Sequence, residues 1–214
     1  MTITQNAASQ AAITPFQAIE MLKEGNARFT SNASEKRDYQ SQIAETAGGQ
    51  YPIAAVVSCI DSRIPTEIIF DQGIGDIFNA RIAGNFVNED ILGSLEFACK
   101  VAGAKAIVVM GHTSCGAIKG ACDKAELGNL TQMLEKITPA VDAVETAEGT
   151  DRSSANAAFV DAVAAKNVEL TLAKIKKNSQ VLSEMIEAGE IEIIGAMYDV
   201  ASGEVSALTR EGWH

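Results

Sequence analysis

The sequence predicts an α/β fold in which helices cover both faces of a mainly parallel β-sheet. Two observations predict it: short apolar runs rich in β-branched residues alternate with helical patterns, and each run ends in a turn-like segment. This alternation is typical of parallel strands, because the chain must cross over before it forms the next strand. The 214 residues, 47% hydrophobic and 21% charged, suit one domain with a sizeable core.

Five segments have the length and composition of strands, and the last two are predicted to pair as a hairpin across Gly203. The predicted strand ranges are 53–58, 77–84, 106–110, 191–199 and 204–208.

Helices are predicted between and around these strands. Thr14 followed by Pro15 indicates an N-cap and first helical position, and apolar residues then recur at helical spacing as far as Phe29. Further helices are predicted at about 41–47, after the first strand at 65–71, and over 88–103. Several helices in series are predicted over 124–189, with breaks near Pro139 and at 148–150, whereas the first dozen residues are expected not to fold.

We interpret the chain as one domain, residues 1–214, with four successive parts. These parts are an N-terminal helical arm (1–50), an α/β core (51–123), a helical region (124–189) and a C-terminal hairpin (190–214).

The charge distribution excludes some partners. A formal net charge of −11 argues against a nucleic-acid partner and against an anionic membrane surface, both of which attract basic faces. The sequence contains no apolar stretch of about 18 residues and does not begin with an export signal. We therefore expect a cytoplasmic protein with no membrane association, whose four cysteines remain reduced.

Two short motifs follow predicted strands and carry the candidate chemistry. They are CIDSR at 59–63 and GHTSCG at 111–116. Because ligand sites in open α/β sheets lie at the carboxyl ends of the strands, the fold can bring the two motifs together.

The first candidate site is a zinc site formed by Cys59, His112 and Cys115. Two thiolates and one imidazole provide three ligands and leave the fourth position free, which is the catalytic pattern. On spacing alone, ordinary core packing explains these residues as well as metal binding does. The single histidine in the body of the chain and the glycines beside the second motif favour the metal.

Asp61 and Arg63 lie two residues apart in the first motif. They form either a surface ion pair of little consequence or a functional pair. In the functional interpretation, Arg63 binds Asp61 through two hydrogen bonds and directs its carboxylate at water on the metal.

The pattern C-x-D-x-R followed by G-H-x-x-C-G resembles the β-class carbonic anhydrases, and the resemblance extends from the N-terminal helix to the final hairpin. It implies zinc-dependent, reversible hydration of CO2 to bicarbonate and a proton, by attack of zinc-bound hydroxide, with one Zn2+ per subunit. It assigns the metal to Cys59, His112 and Cys115, and the catalytic pair to Asp61 and Arg63.

The resemblance also implies substrate-binding residues. Gln50 stands nine residues before the first metal-binding cysteine, where the family has a pocket glutamine. The pocket positions of the family fall on Phe78, Ala83 and Phe97, although core packing accounts equally well for these three.

One subgroup of the family has an inhibitory bicarbonate site that includes a tryptophan, and Val56 occupies that position here. We therefore expect no such site, and a zinc ion that carries water near neutral pH.

For the fold and assembly, the resemblance implies four parallel strands and an antiparallel edge strand. It places the N-terminal arm across a partner subunit and the pocket at a dimer interface. We expect a homodimer or homotetramer.

Two other functions stay open at this point: hydrolysis of CS2 or COS by a related zinc enzyme, and a non-catalytic scaffold stabilised by zinc. A redox role is disfavoured because the sequence has no C-x-x-C motif. Cys99 is expected in the core, Cys122 in a helix with no metal role, and His214 in the terminal tail.

Overall fold

A computed structural model describes residues 4–208 and contains one five-stranded sheet. The strands follow the spatial order β2-β1-β3-β4-β5, with β1 to β4 parallel and β5 antiparallel at the edge. The predicted fold class, with four parallel strands and one antiparallel edge strand, is confirmed. The strands are β1 (Ala54–Ser58), β2 (Ile77–Arg81), β3 (Ala106–His112), β4 (Glu192–Tyr198) and β5 (Val205–Ala207).

Helices cover both faces of this sheet. The helices before β3 are α1 (Ala7–Ala12), α2 (Pro15–Thr30), α3 (Tyr39–Thr46), α4 (Thr66–Ile69) and α5 (Glu89–Glu96), the last continued by a π-helix (Phe97–Val101). Those after β3 are α6 (Gly116–Cys122), α7 (Gly128–Glu135), α8 (Thr138–Ala143), α9 (Ala157–Asn178) and α10 (Gln180–Glu187).

The core forms two apolar layers, one on each face of the sheet. Every residue of β1 and β3 is buried, as expected for central parallel strands covered on both sides. Alternate residues point to opposite faces, so Val56 and Val57 belong to different layers. The first half of α9 joins the layer of Val56, and its second half joins the layer of Val57. Helix α9 therefore contributes to both layers.

The expectation that the first dozen residues do not fold is wrong over the part that the structure describes. Asn6 caps α1 by accepting hydrogen bonds from the backbone N–H groups of Ala8 and Ser9. The buried Gln10 side chain donates to the carbonyls of Pro52 and Ala102, at 2.7 and 2.9 Å. These contacts fix a helix that is too short to be stable alone.

Several boundaries differ from the prediction for local reasons. Strand β2 ends at Arg81 rather than at 84, because the chain turns and the Asn85 N–H donates to the Ile82 carbonyl. Strand β3 continues to His112, where it still pairs with β4. The predicted break near Pro139 is confirmed, since α7 ends at Glu135 and α8 begins at Thr138. Pro139 itself lies in the first turn of α8, where a missing N–H is tolerated.

The N-terminal arm packs against its own chain. Ala18, Ile19 and Leu22 on the apolar side of α2 are fully buried in the layer of Val56. The surface that this amphipathic helix needs to cover is thus present within one subunit. Contact of the arm with a partner subunit stays a prediction.

None of the described helices has the length and apolarity needed to cross a membrane.

Candidate metal centre

The candidate metal ligands lie together at the carboxyl edge of the sheet. Cys59 directly follows β1, His112 is the last residue of the neighbouring strand β3, and Cys115 precedes the first residue of α6. The chain leaves β1 for β2 on one side and then crosses from β2 to β3 on the other side of β1. The carboxyl edge between β1 and β3 is therefore a topological switch point, where ligand sites form in open α/β sheets.

The three ligand atoms are close enough to share one ion. The sulfur, nitrogen and sulfur atoms of Cys59, His112 and Cys115 all lie within 4.8 Å of one another, and all three residues are buried. The two Sγ atoms are 4.0 Å apart, against about 3.8 Å expected for two thiolates on one tetrahedral zinc ion with Zn–S bonds of about 2.3 Å. The donor set and its spacing fit zinc.

The imidazole of His112 is oriented for metal binding. Its Nδ1 lies 2.9 Å from the carbonyl oxygen of Thr113, and because a carbonyl only accepts, Nδ1 carries the proton. The lone pair is then on Nε2, which is buried and has no hydrogen-bond partner among the described residues. Such an atom is costly to bury unless something binds it, and a hydrogen bond on the second ring nitrogen is typical of metal-binding histidines.

The two thiols differ in acidity. A hydrogen bond shared with Cys115 lowers the pKa of Cys59, with further contributions from His112 and the Gly84 backbone N–H. The same contact, together with burial, raises the pKa of Cys115. The protein groups alone thus favour one thiolate, and a dication is the kind of charge that makes the second deprotonate.

Asp61 and Arg63 form the predicted two-point contact beside these ligands. Arg63 Nε and Nη2 donate to the two carboxylate oxygens of Asp61 at 2.9 and 2.7 Å, and the Arg63 backbone N–H donates to Oδ1 at 2.9 Å. These bonds hold the pKa of Asp61 well below its usual range. Asp61 Oδ2 lies 3.9 Å from His112 Nε2, so a permanently ionised carboxylate stands at the edge of the metal position.

Arg81 is a contact residue that the motifs did not reveal. At the end of β2, its Nε donates to the carbonyl of Cys59 at 2.9 Å and its Nη2 to the carbonyl of Asp61 at 2.6 Å. It therefore holds the backbone of the loop that carries a ligand and the carboxylate. The pairing of Ser58 with Arg81 places it there, and a correct register for β1 and β2 was the signal that could have found it.

The predicted substrate-binding residues fall into two groups. Ala83 is partly buried beside Gly84, whose N–H donates to Cys59 Sγ at 3.3 Å. Phe78 and Phe97 pack edge to face, with ring centroids 6.2 Å apart, and line a cavity of about 610 Å³. Phe78 packs in the layer of Val57, whereas the metal-binding cysteines belong to the layer of Val56. These two rings, named the aromatic cluster below, are not brought to the metal ligands of their own chain.

Gln50 also lies away from the metal ligands. It is exposed and precedes the N-terminal end of β1, whereas Cys59 follows the other end, and the five residues of β1 extend about 13 Å.

The other singled-out residues are core residues where the structure describes them. Cys99 is buried in the layer of Val57, as predicted, and Val56 is fully buried. Cys122 is the last residue of helix α6, as predicted, and is buried in the layer of Val56. His214 lies outside the described residues.

Fold and site together define a class: an α/β metalloenzyme with a cysteine, histidine and cysteine ligand set at the switch point. Comparison with known proteins narrows it. The sequence model described as "Carbonic anhydrase" matches residues 54–205. Carbonic anhydrase 2 of Mycobacterium tuberculosis is 35% identical over 198 residues, 88% of this chain and 90% of the relative. The carbonic anhydrase of Mycolicibacterium smegmatis is 36% identical over 207 residues, 92% and 95% of the two chains.

Solved structures agree with these relatives. The β-carbonic anhydrase CafA of Aspergillus fumigatus matches with a TM-score of 0.69 and 25% identity, over 89% of this chain and 88% of CafA. A tetrameric β-carbonic anhydrase of Sordaria macrospora matches with a TM-score of 0.68 and 26% identity, over 88% and 95% of the two chains. The chain belongs to the β-class carbonic anhydrase family. Its activity is the reversible hydration of CO2 to bicarbonate, and the metal of the family is zinc.

Proposed function

We propose that CO2 is hydrated at the carboxyl edge of the sheet, with Cys59, His112 and Cys115 as zinc ligands and with Asp61 and Arg63 as the pair that orients the reacting water. One observation carries this proposal. Asp61 is bound at both oxygens by Arg63 and stands 3.9 Å from the unpartnered His112 Nε2, so it borders the metal position without filling it.

Zinc bound by these residues supplies the nucleophile, because it lowers the pKa of water from 15.7 to about 7. Two thiolates offset the charge of the ion, which favours activity from neutral to alkaline pH. The contribution of the chain is to fix three ligands and leave the fourth position accessible.

The role we assign to Asp61 is that of a hydrogen-bond acceptor that never takes up a proton in the working pH range. With its pKa held low by Arg63, the carboxylate accepts the hydrogen of the water and keeps the oxygen lone pair directed at the CO2 carbon. Arg63 keeps Asp61 from moving onto the metal, because both carboxylate oxygens are already engaged.

We further propose that the remaining pocket residues come from a second subunit. Gln50 and the aromatic cluster lie away from the metal ligands of their own chain, and Phe97 is 51% exposed. A partner that faces the carboxyl edge with these residues would complete the pocket, with Gln50 as a donor to a substrate oxygen. This arrangement supports a homodimer, or a tetramer like the tetrameric relatives of Sordaria macrospora.

A cytoplasmic location is part of the same proposal. All four cysteines are free thiols and all are buried, which suits a reducing compartment.

The test is a zinc determination combined with stopped-flow assays of CO2 hydration, run in parallel with CS2 and COS. We expect about one zinc per subunit and CO2 hydration far above the buffer rate, abolished when a chelator removes the metal. Turnover of CS2 or COS with CO2 hydration at the buffer rate would contradict the proposal. A zinc-loaded protein inactive on all three substrates would indicate a scaffold.

A further inference from the structure

Gly84 lies in the loop after β2, and its backbone links this loop to Cys59, one of the proposed zinc ligands. Its N–H donates to Cys59 Sγ at 3.3 Å. Gly84 has a φ of +80°, and a Cβ there would lie 2.4 Å from Ile137 Cδ1, so only glycine fits this position. The N–H therefore reaches the sulfur only if the loop keeps this conformation.

Asn167 fixes that loop from the opposite side. It lies on α9, is 3% exposed, and donates from Nδ2 to the Gly84 carbonyl at 2.7 Å. A buried amide side chain is costly unless its hydrogen bonds are made, and 83 residues separate these two partners in sequence. The hydrogen bond thus connects helix α9, which contributes to both core layers, with the loop whose Gly84 contacts Cys59.

We propose that Asn167 is a positioning residue for the metal ligand Cys59, acting through Gly84. By holding the Gly84 carbonyl, it keeps the adjoining N–H on the Cys59 sulfur, and so it sets how tightly the ion is retained and how much charge the thiolate donates to it. This inference rests on the zinc site proposed above.

The expected size of the effect follows from other metal sites. Partners that hydrogen-bond to ligands orient them and tune their basicity, and their loss costs about 10–100-fold in metal affinity or activity. Without the Asn167 amide, the Gly84 carbonyl loses its partner in a buried position, the loop relaxes, and the N–H leaves the sulfur.

The test uses the zinc-loaded enzyme and two variants that lack the donor: Asn167→Leu, which fills the volume, and Asn167→Ala, which does not. Thr171→Val is the matched control, because Thr171 lies one turn further along α9 and is also buried, at 1% exposure. Two properties are measured: the rate of zinc release to an excess of chelator, and the sulfur-to-metal charge-transfer band of the Co2+-substituted protein.

We expect both Asn167 variants to release zinc about 10–100-fold faster than the wild type and to shift the charge-transfer band, while Thr171→Val does neither. If Asn167→Leu fails to fold, Asn167→Ala decides. A folded Asn167 variant with wild-type zinc release and an unshifted band would overturn the inference, even with a lower melting temperature. A wild-type protein that binds no zinc would instead refute the proposed metal site itself.

Discussion

The candidate metal ligands and the aromatic cluster belong to one proposed pocket, yet they differ in burial and in position within one subunit. Cys59, His112 and Cys115 are buried and close to one another within a single subunit. Phe97 of the aromatic cluster is half-exposed, and its ring contacts Phe78, which packs on the opposite face of the sheet. In the arrangement proposed above, one chain carries all three candidate metal ligands, whereas the substrate pocket needs residues of a second subunit.

Removing a proposed zinc ligand should have the largest effect, because it tests the metal site directly. Cys59→Ser replaces a thiolate with a hydroxyl that zinc does not favour, so we expect loss of zinc and CO2 hydration at the buffer rate. Metal analysis and stopped-flow kinetics measure both. Cys122→Ser is the matched control, since Cys122 is buried outside the cluster, and it should keep zinc and activity. Full activity of Cys59→Ser would remove this residue from the ligand set.

Removing the oriented carboxylate separates metal binding from catalysis. We expect Asp61→Ala to retain zinc and to lose about 100-fold in CO2 hydration, because the reacting water loses its fixed acceptor. Asp142→Ala removes an exposed carboxylate on α8 and should leave the rate unchanged. An Asp61→Ala enzyme with wild-type turnover would show that the contact between Arg63 and Asp61 is only structural.

How far the sequence predicts this site depends on how local each contact is. The positions of Cys59 and His112 were predictable, because parallel strands that end in motifs bring those motifs to one edge. The contacts of Arg81 and Asn167 were not, because they depend on strand register and on packing across 83 residues. Helix α1 was missed for a similar reason: the Gln10 contacts that fix it are made to distant carbonyls.

Introducing a charge into the aromatic cluster tests whether a second subunit covers it. If Phe97 packs on a second subunit, Phe97→Glu buries a charge at the interface. We expect a loss of at least about 2 kcal/mol in association, or about 30-fold in the dissociation constant, and lower hydration at low protein concentration with zinc retained. Analytical ultracentrifugation and stopped-flow kinetics over a dilution series measure these effects.

Leu127→Glu is the control for this experiment, because Leu127 is 71% exposed and lies outside the aromatic cluster. It should change neither assembly nor activity. If Phe97→Glu behaved like Leu127→Glu, the aromatic cluster would not be an interface, and the pocket would have to be completed within one chain.

The smallest effect on the metal site is expected when Asp71 is replaced. Asp71 connects the N-terminal arm to the α/β core of the same subunit. Asp71 is buried and accepts hydrogen bonds from Arg28 and Arg37. Asp71→Asn removes the buried carboxylate that pairs with Arg37 and leaves Arg37 only the ionic contact with the half-exposed Glu35, at 3.7 Å. We expect a cost of about 3 kcal/mol and a melting temperature lower by about 10 °C. Zinc content should not change. Glu20→Gln, which removes the partly exposed contact with Lys23, should cost under about 0.5 kcal/mol.

The stability difference between the wild type and Asp71→Asn should depend on pH. Burial raises the pKa of Asp71, but the hydrogen bonds from Arg28 and Arg37 outweigh it, so the folded-state pKa is lowered. The stabilisation is therefore fully present above the ordinary carboxyl pKa of about 3.9 and is lost as the pH falls below it through the folded-state value. Denaturant unfolding of both proteins should give a stability difference that is constant from pH 7 to about pH 5 and shrinks below about pH 4. A difference that persisted unchanged into acid would mean that charge on Asp71 does not hold the arm.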